Sequence, residues 1–241
     1  MGKLIVIDGL DGSGKHTQAT LLYEYLKENN VKCKLIDFPH YNSRTGEIVK
    51  EYLHGEIHVG DSYDDKIKTA LLYSFDRMYN MCFMRDEKGK SLIDYYNEGY
   101  VIICDRYTSS NYLYMTHNMN SVEFIKFIHK MEKIEYKQMG LPEPNLSIFL
   151  ELTPEKSIEL INRRGNEKDN HENITVLTKA YNALQRIKKF YNDRNVLPRN
   201  FKSRHEMQFI NCVNEQGELY SIEHITEIVK KLVNDQIIKN I

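Results

Sequence analysis

Short apolar runs alternate with longer amphipathic stretches along this chain, and this alternation restricts the possible folds more than any other feature. The runs are rich in Ile, Val, Leu and Phe, as is typical of buried strands. We predict strands at Leu4–Ile7, Cys33–Phe38, Val101–Cys104, Ser147–Leu152 and Gln208–Val213. The stretches between them predict helices at Lys15–Glu28, Thr45–Leu53, Asp64–Asp86, Val122–Lys137, Pro154–Asn162, Asn173–Asp193 and Ile222–Val233. Because strands that alternate with helices pair in parallel, we expect a three-layer α/β fold with a five-stranded parallel sheet flanked by helices.

The length and charge of the chain argue against several classes of protein. A chain of 241 residues suits one domain, which we place at 1–241. Lysine and arginine number 33 against 34 acidic residues, so no overall field favours nucleic acid or an anionic membrane. The apolar run at Leu4–Ile7 is too short for a signal peptide or a membrane span, and four widely spaced cysteines indicate reduced thiols. We therefore expect a cytoplasmic protein that binds neither membranes nor nucleic acid.

A glycine-rich loop joins the first predicted strand to the first predicted helix. The segment GLDGSGK, from Gly9 to Lys15, matches the first seven positions of the phosphate loop G-x-x-x-x-G-K-[ST]. Its glycines allow backbone N–H groups to surround a phosphate, and Lys15 reaches the β- and γ-phosphates. A glycine-rich turn before an ordinary helix is the alternative. We predict a P-loop NTPase fold that binds ATP through Gly9, Leu10, Asp11, Gly12, Ser13, Gly14, Lys15, His16 and Thr17.

One position departs from the phosphate-loop motif. His16 stands where Ser or Thr usually ligates Mg²⁺, so the phosphates, water and carboxylates elsewhere must hold the metal. Thr17 offers a hydroxyl to the phosphates one residue later. Asp105, at the end of the third strand, is placed to hold Mg²⁺ or its water.

The carboxyl ends of the second and third strands carry a second group of candidates. Ligands of open parallel sheets bind beyond these strand ends. Phe38 and Pro39 end the second strand, and Asp105 and Arg106 end the third. Arg106 offers a bidentate fork for an acceptor phosphate, although a surface ion pair is the plainer interpretation.

Taken together in order, these segments make the sequence resemble the thymidylate kinase family. GLDGSGKHTQ follows the first strand, FP the second, and DRYTSSNYLY the third, with LLYSFDR on the intervening helix. PEPNLSIFLELTPE then carries the fourth strand, and RRG closes the next helix. The resemblance extends from Lys3 to about Tyr191 and includes the final strand and helix. The stretch Asn195–Glu206 looks like an insertion.

This resemblance implies a dTMP site. Tyr73 would stack on the thymine ring and Arg77, on the same helix face, would hydrogen-bond its edge. Arg106 and Arg44 would clamp the monophosphate, and Tyr114 would crowd the 2′ position of the sugar. The implied dTMP contacts are Asp11, Phe38, Pro39, Arg44, Tyr73, Arg77, Arg106, Asn111 and Tyr114. The implied metal-binding residues are Asp11 and Asp105.

The resemblance also implies a lid at about 163–173, in the polar segment RGNEKDNHEN and the residues before it. Gly12 within the phosphate loop, together with Arg163 and Arg164 before the lid, implies the form of the family that carries its arginine on the lid. The implied catalytic residues are Lys15, Arg106, Arg163 and Arg164. The implied ligands are ATP, dTMP and Mg²⁺, and the implied assembly is a homodimer.

Three alternatives stay open at this point. The first is another P-loop kinase for a deoxynucleoside or a nucleoside monophosphate. The second is a nucleotide-binding regulatory module with little turnover, suggested by His16. The third is a P-loop protein that processes nucleic acid, which the balanced charge argues against.

Overall fold

A computed structural model of the chain describes residues 1–164, 173–192 and 206–240. Its centre is a parallel sheet whose five strands are β1 (Lys3–Gly9), β2 (Cys33–Asp37), β3 (Val101–Asp105), β4 (Leu146–Glu151) and β5 (Glu206–Asn211), in the order β2–β3–β1–β4–β5. The predicted α/β fold with a five-stranded parallel sheet is confirmed. Most of the predicted lid, 165–172, lies outside the described residues, as does 195–205 of the predicted insertion.

Helices cover both faces of the sheet. Those in the described residues are α1 (Lys15–Glu28), α2 (Arg44–Leu53), α3 (Tyr63–Met78), α4 (Leu92–Asn97), α5 (Thr108–Met115), α6 (Ser121–Glu132), α7 (Pro154–Arg164), α8 (Ile174–Asn192) and α9 (Ile222–Gln236). Two π-helical segments, Tyr79–Phe83 and Lys133–Gln138, continue α3 and α6, and a 3₁₀ turn at Ile238–Asn240 follows α9. No helix within the described ranges is both long and apolar enough to cross a bilayer.

The sequence prediction differs from the observed helices in three places. The predicted helix Asp64–Asp86 ends earlier, because the chain leaves the helix after the π-helical turn at Tyr79–Phe83 and is extended at Met84. Helix α4 was not predicted, since it has only six residues, although a capping box of Ser91 and Asp94 marks its start. Helix α5 was not predicted either, because nearly all its side chains are buried and it shows no amphipathic period.

Strand β1 is buried on both faces. Ile5 and Ile7 pack with α1 and α9, whereas Leu4 and Val6 point to the opposite face. On that opposite face a further apolar cluster joins β4 to α5, α6 and α8. This burial from both sides explains why the central strand reads as a continuous apolar run.

The register of the sheet sets the position of the site. Asp105 lies opposite Ile7 of β1 and Asp37 of β2, so β2 and β3 end at the same level and β1 ends two residues later, at Gly9. The loops that follow them therefore emerge side by side at the carboxyl edge, which is where ligands of such sheets bind.

Candidate active site

The glycine loop between β1 and α1 requires its glycines. Gly9, Gly12 and Gly14 have positive φ values of 143°, 80° and 85°, a region that side chains disfavour. A Cβ at Gly12 would also lie 2.8 Å from the Ser157 carbonyl oxygen. The loop therefore turns tightly and directs the start of α1 at the cleft, as phosphate binding needs.

Lys15 is held inside this loop. Its side chain is only 5 % exposed, and its Nζ donates to the Leu10 carbonyl oxygen at 2.6 Å and lies 3.6 Å from Asp11 Oδ1. Burial and the nearby Arg106 guanidinium lower the pKa of Lys15. A phosphate bound beside Nζ would oppose this lowering of the Lys15 pKa, because it adds negative charge and accepts hydrogen bonds.

Arg106 is strained and ion-paired at the end of β3. Its φ of 68° lies in the left-handed region, and its N–H donates to the Ile7 carbonyl oxygen at 2.9 Å. Its guanidinium pairs with Asp11, which also accepts a hydrogen bond of 2.8 Å from the Tyr114 hydroxyl. Burial alone would raise the pKa of Asp11, but Arg106 and Lys15 outweigh it and hold that pKa below its usual range.

Two clefts open at the carboxyl edge of the sheet. The first encloses about 510 Å³ including its open mouth, and it is lined by Asp11, Phe38, Pro39, Tyr41, Leu53, Tyr73, Arg77, Arg106, Ser110, Asn111, Tyr114 and Met115. Eight of the nine predicted dTMP contacts are in that lining. The ninth, Arg44, is exposed at the start of α2 and does not line the cleft. The structure thus brings together residues that lie up to 104 positions apart in sequence, from Asp11 to Met115.

The second cleft follows the glycine loop and is wider, about 1840 Å³ counting the space open to solvent. All the predicted ATP-binding residues from Asp11 to Thr17 line it, together with Asp105. It shares Asp11, Phe38, Pro39, Tyr41 and Arg106 with the first cleft. Ligands in the two clefts would therefore meet at this shared boundary, between Lys15 and Arg106.

The far end of the second cleft is an apolar slot that sequence reasoning missed. It is lined by Leu152, Leu160, Cys212, Leu219, Tyr220, Ile222 and Ile225. Cys212, Leu219 and Tyr220 lie between the end of β5 and the start of α9, again at the carboxyl edge of the sheet, and Ile222 and Ile225 lie on α9. The strand-end rule that located Arg106 would have pointed here too. Such a slot suits a flat aromatic group such as a nucleobase.

The inner end of the first cleft holds a buried ion pair. Arg77 donates from Nε to Glu135 Oε2 at 2.8 Å and from Nη2 to Oε1 at 2.7 Å. The two side chains are 2 % and 0 % exposed. Burial alone would lower the pKa of Arg77, but Glu135 reverses this and raises it.

Sequence reasoning missed Glu135, although a signal was present. Phe124, Ile128 and Met131 form the buried stripe of α6, and Glu135 follows at the same spacing. A carboxylate in a core-facing position needs a partner, since an unpaired buried charge is costly.

Carboxylates also surround the start of α1. Asp105 Oδ2 lies 3.3 Å from Nδ1 of His16, whose side chain is 78 % exposed. Asp105 Oδ1 is buried and has no hydrogen-bond partner among the described residues. Asp8, also missed from sequence, accepts hydrogen bonds from Ser109 and Ser110, and burial raises its pKa. Within the described parts of the chain, no group of three or more His, Cys, Asp or Glu side chains is arranged to hold a metal ion.

The two lid arginines lie at the end of α7. Arg163 is exposed, and its Nη2 donates to Glu159 Oε1 at 2.5 Å. Arg164 is the last residue of α7, and its side chain lies outside the described part of the structure.

Comparison with known proteins gives consistent matches. The thymidylate kinase family model matches residues 7–208. Thymidylate kinase of Caldicellulosiruptor saccharolyticus is 28 % identical over 97 % of this chain and 97 % of its own length. A probable thymidylate kinase of Methanococcus aeolicus is 30 % identical over 99 % of this chain and its whole length.

A solved structure matches as well. The structure of thymidylate kinase from Candida albicans superposes with a TM-score of 0.66 and 23 % identity, covering 97 % of this chain and 92 % of that chain. At that identity the likeness is one of fold.

Proposed function

The chain belongs to the thymidylate kinase family, and we propose that it transfers the γ-phosphoryl group of ATP to dTMP where its two clefts meet. It is an ATP-dependent nucleoside-monophosphate kinase. The boundary that the clefts share is the observation that carries the assignment of the residues. Phosphoryl transfer needs two anionic partners held in line with their charge neutralised, and Lys15 and Arg106 flank this boundary.

ATP occupies the wider cleft in this proposal. The N–H groups of the glycine loop and Lys15 bind its phosphates, and Thr17 adds a hydroxyl. Its adenine enters the apolar slot beside Tyr220 and Ile222. The positive end of α1 adds to the attraction for the phosphates.

dTMP occupies the smaller cleft. Tyr73 offers a flat face to the thymine ring, while Arg77 and Asn111 meet its polar edge. Phe38 and Pro39 line the space for the base and sugar. The thymine thus lies at the inner end of the cleft, and its phosphate points to the shared boundary.

The phosphate end of dTMP meets the cluster around Arg106. Arg106 binds the phosphate, and Arg44 at the start of α2 is the second guanidinium of the proposed clamp. Tyr114 stands against the 2′ position of the sugar, which disfavours ribonucleotides. Asp11 holds Arg106 in place and is within the cleft that takes the 3′-hydroxyl.

The carboxylates fit a Mg²⁺ ion bound with ATP. Asp105 is the better ligand, because its Oδ1 is buried without a partner in the described structure, whereas Asp11 is already engaged by Arg106 and Tyr114. His16 replaces the usual hydroxyl ligand, so phosphates and water complete the coordination. When bound, Mg²⁺ would neutralise the charge that develops during transfer.

An acceptor panel tests this function. ADP release at saturating Mg-ATP is measured with dTMP, dUMP, dCMP and thymidine. We expect turnover with dTMP and none with thymidine, because thymidine lacks the phosphate that Arg106 binds. Arg106→Ala should raise KM for dTMP and lower kcat, whereas the control Arg85→Ala, at an exposed pair with Asp94, should change neither.

The other outcomes of this panel separate the alternatives. ADP release without dependence on any acceptor, or no release at all, would favour a nucleotide-binding module with little turnover. A preference for thymidine or dCMP would indicate a different P-loop kinase.

We propose a reducing compartment, the cytoplasm, for this enzyme. The four cysteines Cys33, Cys82, Cys104 and Cys212 are free thiols. Burial raises the pKa of Cys212 to about 12 and also raises that of Cys104. These thiols therefore stay protonated and act as small apolar side chains.

We also propose that the enzyme is a homodimer. Phe75, Tyr79 and Phe83 follow one another at four-residue spacing along α3 and the π-helical turn after it. Phe75 and Phe83 are exposed, as is the adjacent Met84. An aromatic stripe with exposed residues at both ends supports contact with a second copy of the chain, since exposed apolar clusters commonly mark interfaces.

A further inference from the structure

One buried carboxylate connects three elements around the inner end of the first cleft. Glu135 lies in the π-helical segment Lys133–Gln138 and is fully buried. Besides the two bonds from Arg77, it accepts hydrogen bonds from Ser74 at 2.8 Å, from Thr108 at 2.7 Å and from Asn111 at 3.3 Å. Its partners come from α3 and α5, which both line the cleft. π-Helical turns often occur at functional sites.

We infer that Glu135 is a positioning residue that sets which hydrogen-bonding groups the protein presents to the base of the acceptor. This inference rests on the proposed function. Glu135 is assigned no contact with the substrate, and it acts through Arg77 and Asn111.

The first consequence of the Glu135 contacts concerns Arg77. Its Nε and Nη2 are committed to the carboxylate, which fixes the plane of the guanidinium. Nη1 makes no hydrogen bond within the described residues, and Arg77 lines the cleft. Because a guanidinium only donates, the group that it meets in the cleft must be an acceptor.

The second consequence concerns the amide of Asn111. A carboxylate only accepts, so Nδ2 and not Oδ1 of Asn111 must face Glu135. Nδ2 also points at the Ala70 carbonyl oxygen, 3.5 Å away, which requires the same orientation. Asn111 therefore keeps Oδ1 as an acceptor for a ligand in the cleft that it lines.

The donor on Arg77 and the acceptor on Asn111 together match a base edge that has a carbonyl oxygen beside an N–H group. Thymine presents this pattern with its 4-carbonyl and N3–H groups. Cytosine presents an amino group and an unprotonated nitrogen at the same positions, which would place donor against donor and acceptor against acceptor. Discrimination of this kind depends on unfavourable pairs as much as on favourable ones.

Glu135 also neutralises the charge of Arg77. A guanidinium without that partner would attract phosphate to the inner end of the cleft and would compete with Arg106. The ion pair therefore also favours binding of the acceptor in one direction, with its phosphate at the boundary between the clefts.

The test is Glu135→Gln, with kcat and KM measured for dTMP and dCMP. A carboxamide has one accepting oxygen and one donating NH2 group, so in either orientation its NH2 group faces one of the two Arg77 nitrogens and removes the two-bond hold on the guanidinium. We expect KM for dTMP to rise about tenfold to hundredfold, with KM for ATP unchanged. The preference for dTMP over dCMP, as a ratio of kcat/KM, should fall by a similar factor.

Glu132→Gln is the matched control. Glu132 lies one helical turn before Glu135, accepts a bond of 3.4 Å from the Tyr191 hydroxyl, and does not line the cleft. Glu132 is partly buried, and burial raises its pKa to about 7, so the variant tests removal of another partly desolvated carboxyl from the same region. We expect its KM for dTMP and its dTMP preference to match the unaltered enzyme.

The outcomes separate this inference from the proposed function. If the unaltered enzyme does not phosphorylate dTMP, the proposed function fails whatever Glu135 does. If it does, and Glu135→Gln keeps both KM and the preference over dCMP, the inference about Glu135 is overturned.

Should Glu135→Gln fail to fold, the double variant Arg77→Met with Glu135→Met gives a second test, because it leaves no unpaired buried charge. That variant must lose the preference for dTMP over dCMP. Retention of the preference would also overturn the inference.

Discussion

At the scale of single residues, the backbone strain is concentrated where the two clefts meet. Arg106 holds a left-handed conformation that costs about 1–3 kcal/mol for residues other than glycine. Its N–H bond to Ile7 and its ion pair with Asp11 oppose this cost. In this conformation Arg106 lines both clefts and its guanidinium pairs with Asp11. The backbone strain at Arg106 thus lowers the stability of the fold, while it accompanies the placement of a positive charge where the two clefts meet.

The pH dependence of unfolding should reveal the charge of Asp11. Its pKa in the folded state lies below the unfolded value of about 3.9. A lowered carboxyl pKa gives stability that is present above the unfolded pKa and is lost as pH falls through the folded pKa. We expect Asp11→Asn to lower the free energy of unfolding by about 1–3 kcal/mol at pH 7. Urea unfolding at a series of pH values should show this difference shrink below pH 4.

Glu87→Gln is the control for this experiment, because Glu87 is exposed and lies outside the cluster. Its effect should be small at every pH. A difference for Asp11→Asn that stays constant down to pH 2 would contradict the ion-pair explanation.

At the scale of elements, what could be predicted from sequence follows from how each element is buried. All five strands were found, and the three inner strands β1, β3 and β4 are buried and apolar along most of their length, as a parallel sheet covered on both faces requires. The glycine loop was found from its own spacing, and α1 begins at Lys15 as predicted. Each of these patterns lies within one continuous segment of the chain, so it can be recognised without knowledge of distant contacts.

Elements whose pattern depends on distant residues were not predicted. Helix α5 lacks a polar face, so its period is hidden. The spacing of the buried stripe on α6 marks Glu135 as inward-facing, but its partner Arg77 lies 58 residues away and is identified only in the folded chain. The apolar slot is formed by the segments that follow β4 and β5 together with α7 and α9, which meet only in the folded protein. These features form only when distant segments of the chain come together in the folded protein, so the sequence alone did not reveal them.

The two clefts share five lining residues, but each also has lining residues of its own, so substitutions at the unshared residues should affect one substrate at a time. Tyr220 lines only the wider cleft and Tyr73 only the smaller one. We expect Tyr220→Ala to raise KM for ATP about fivefold to tenfold through lost ring contact, with KM for dTMP unchanged. Tyr73→Ala should do the reverse. Steady-state kinetics with each substrate varied in turn measures both, and equal effects on both KM values would contradict separate sites.

The end of α7 provides the proposed lid arginines. Closure of a lid would bring Arg163 or Arg164 onto the transferring group, and such an arginine contributes about 10³–10⁵ in rate. We expect Arg163→Ala or Arg164→Ala to lower kcat by orders of magnitude with little change in dTMP affinity. Stopped-flow phosphoryl transfer and equilibrium dTMP binding measure the two separately. Near-normal turnover in both variants would remove these arginines from the mechanism.

At the scale of the whole molecule, the sheet topology explains why donor and acceptor meet. β1 lies between β3 and β4, so its loop is at the point where the strand order reverses. The donor loop follows β1, and the acceptor phosphate contact follows β3, its direct neighbour. Two loops from adjacent strands can hold two anions at one boundary without any large movement of the core.

The aromatic stripe of Phe75, Tyr79 and Phe83 lines neither of the two clefts. A two-fold dimer places the same patch on both copies, so one introduced charge appears twice in the contact and repels its own copy. We expect Phe83→Glu to change the mass in solution from about twice 28.5 kDa to the single-chain value, measured by light scattering after size exclusion. Val122→Glu, at an equally exposed apolar residue on α6, should leave the dimer intact. A Phe83→Glu protein that keeps the doubled mass would place the contact elsewhere, and an unaltered protein with the single-chain mass would exclude the dimer.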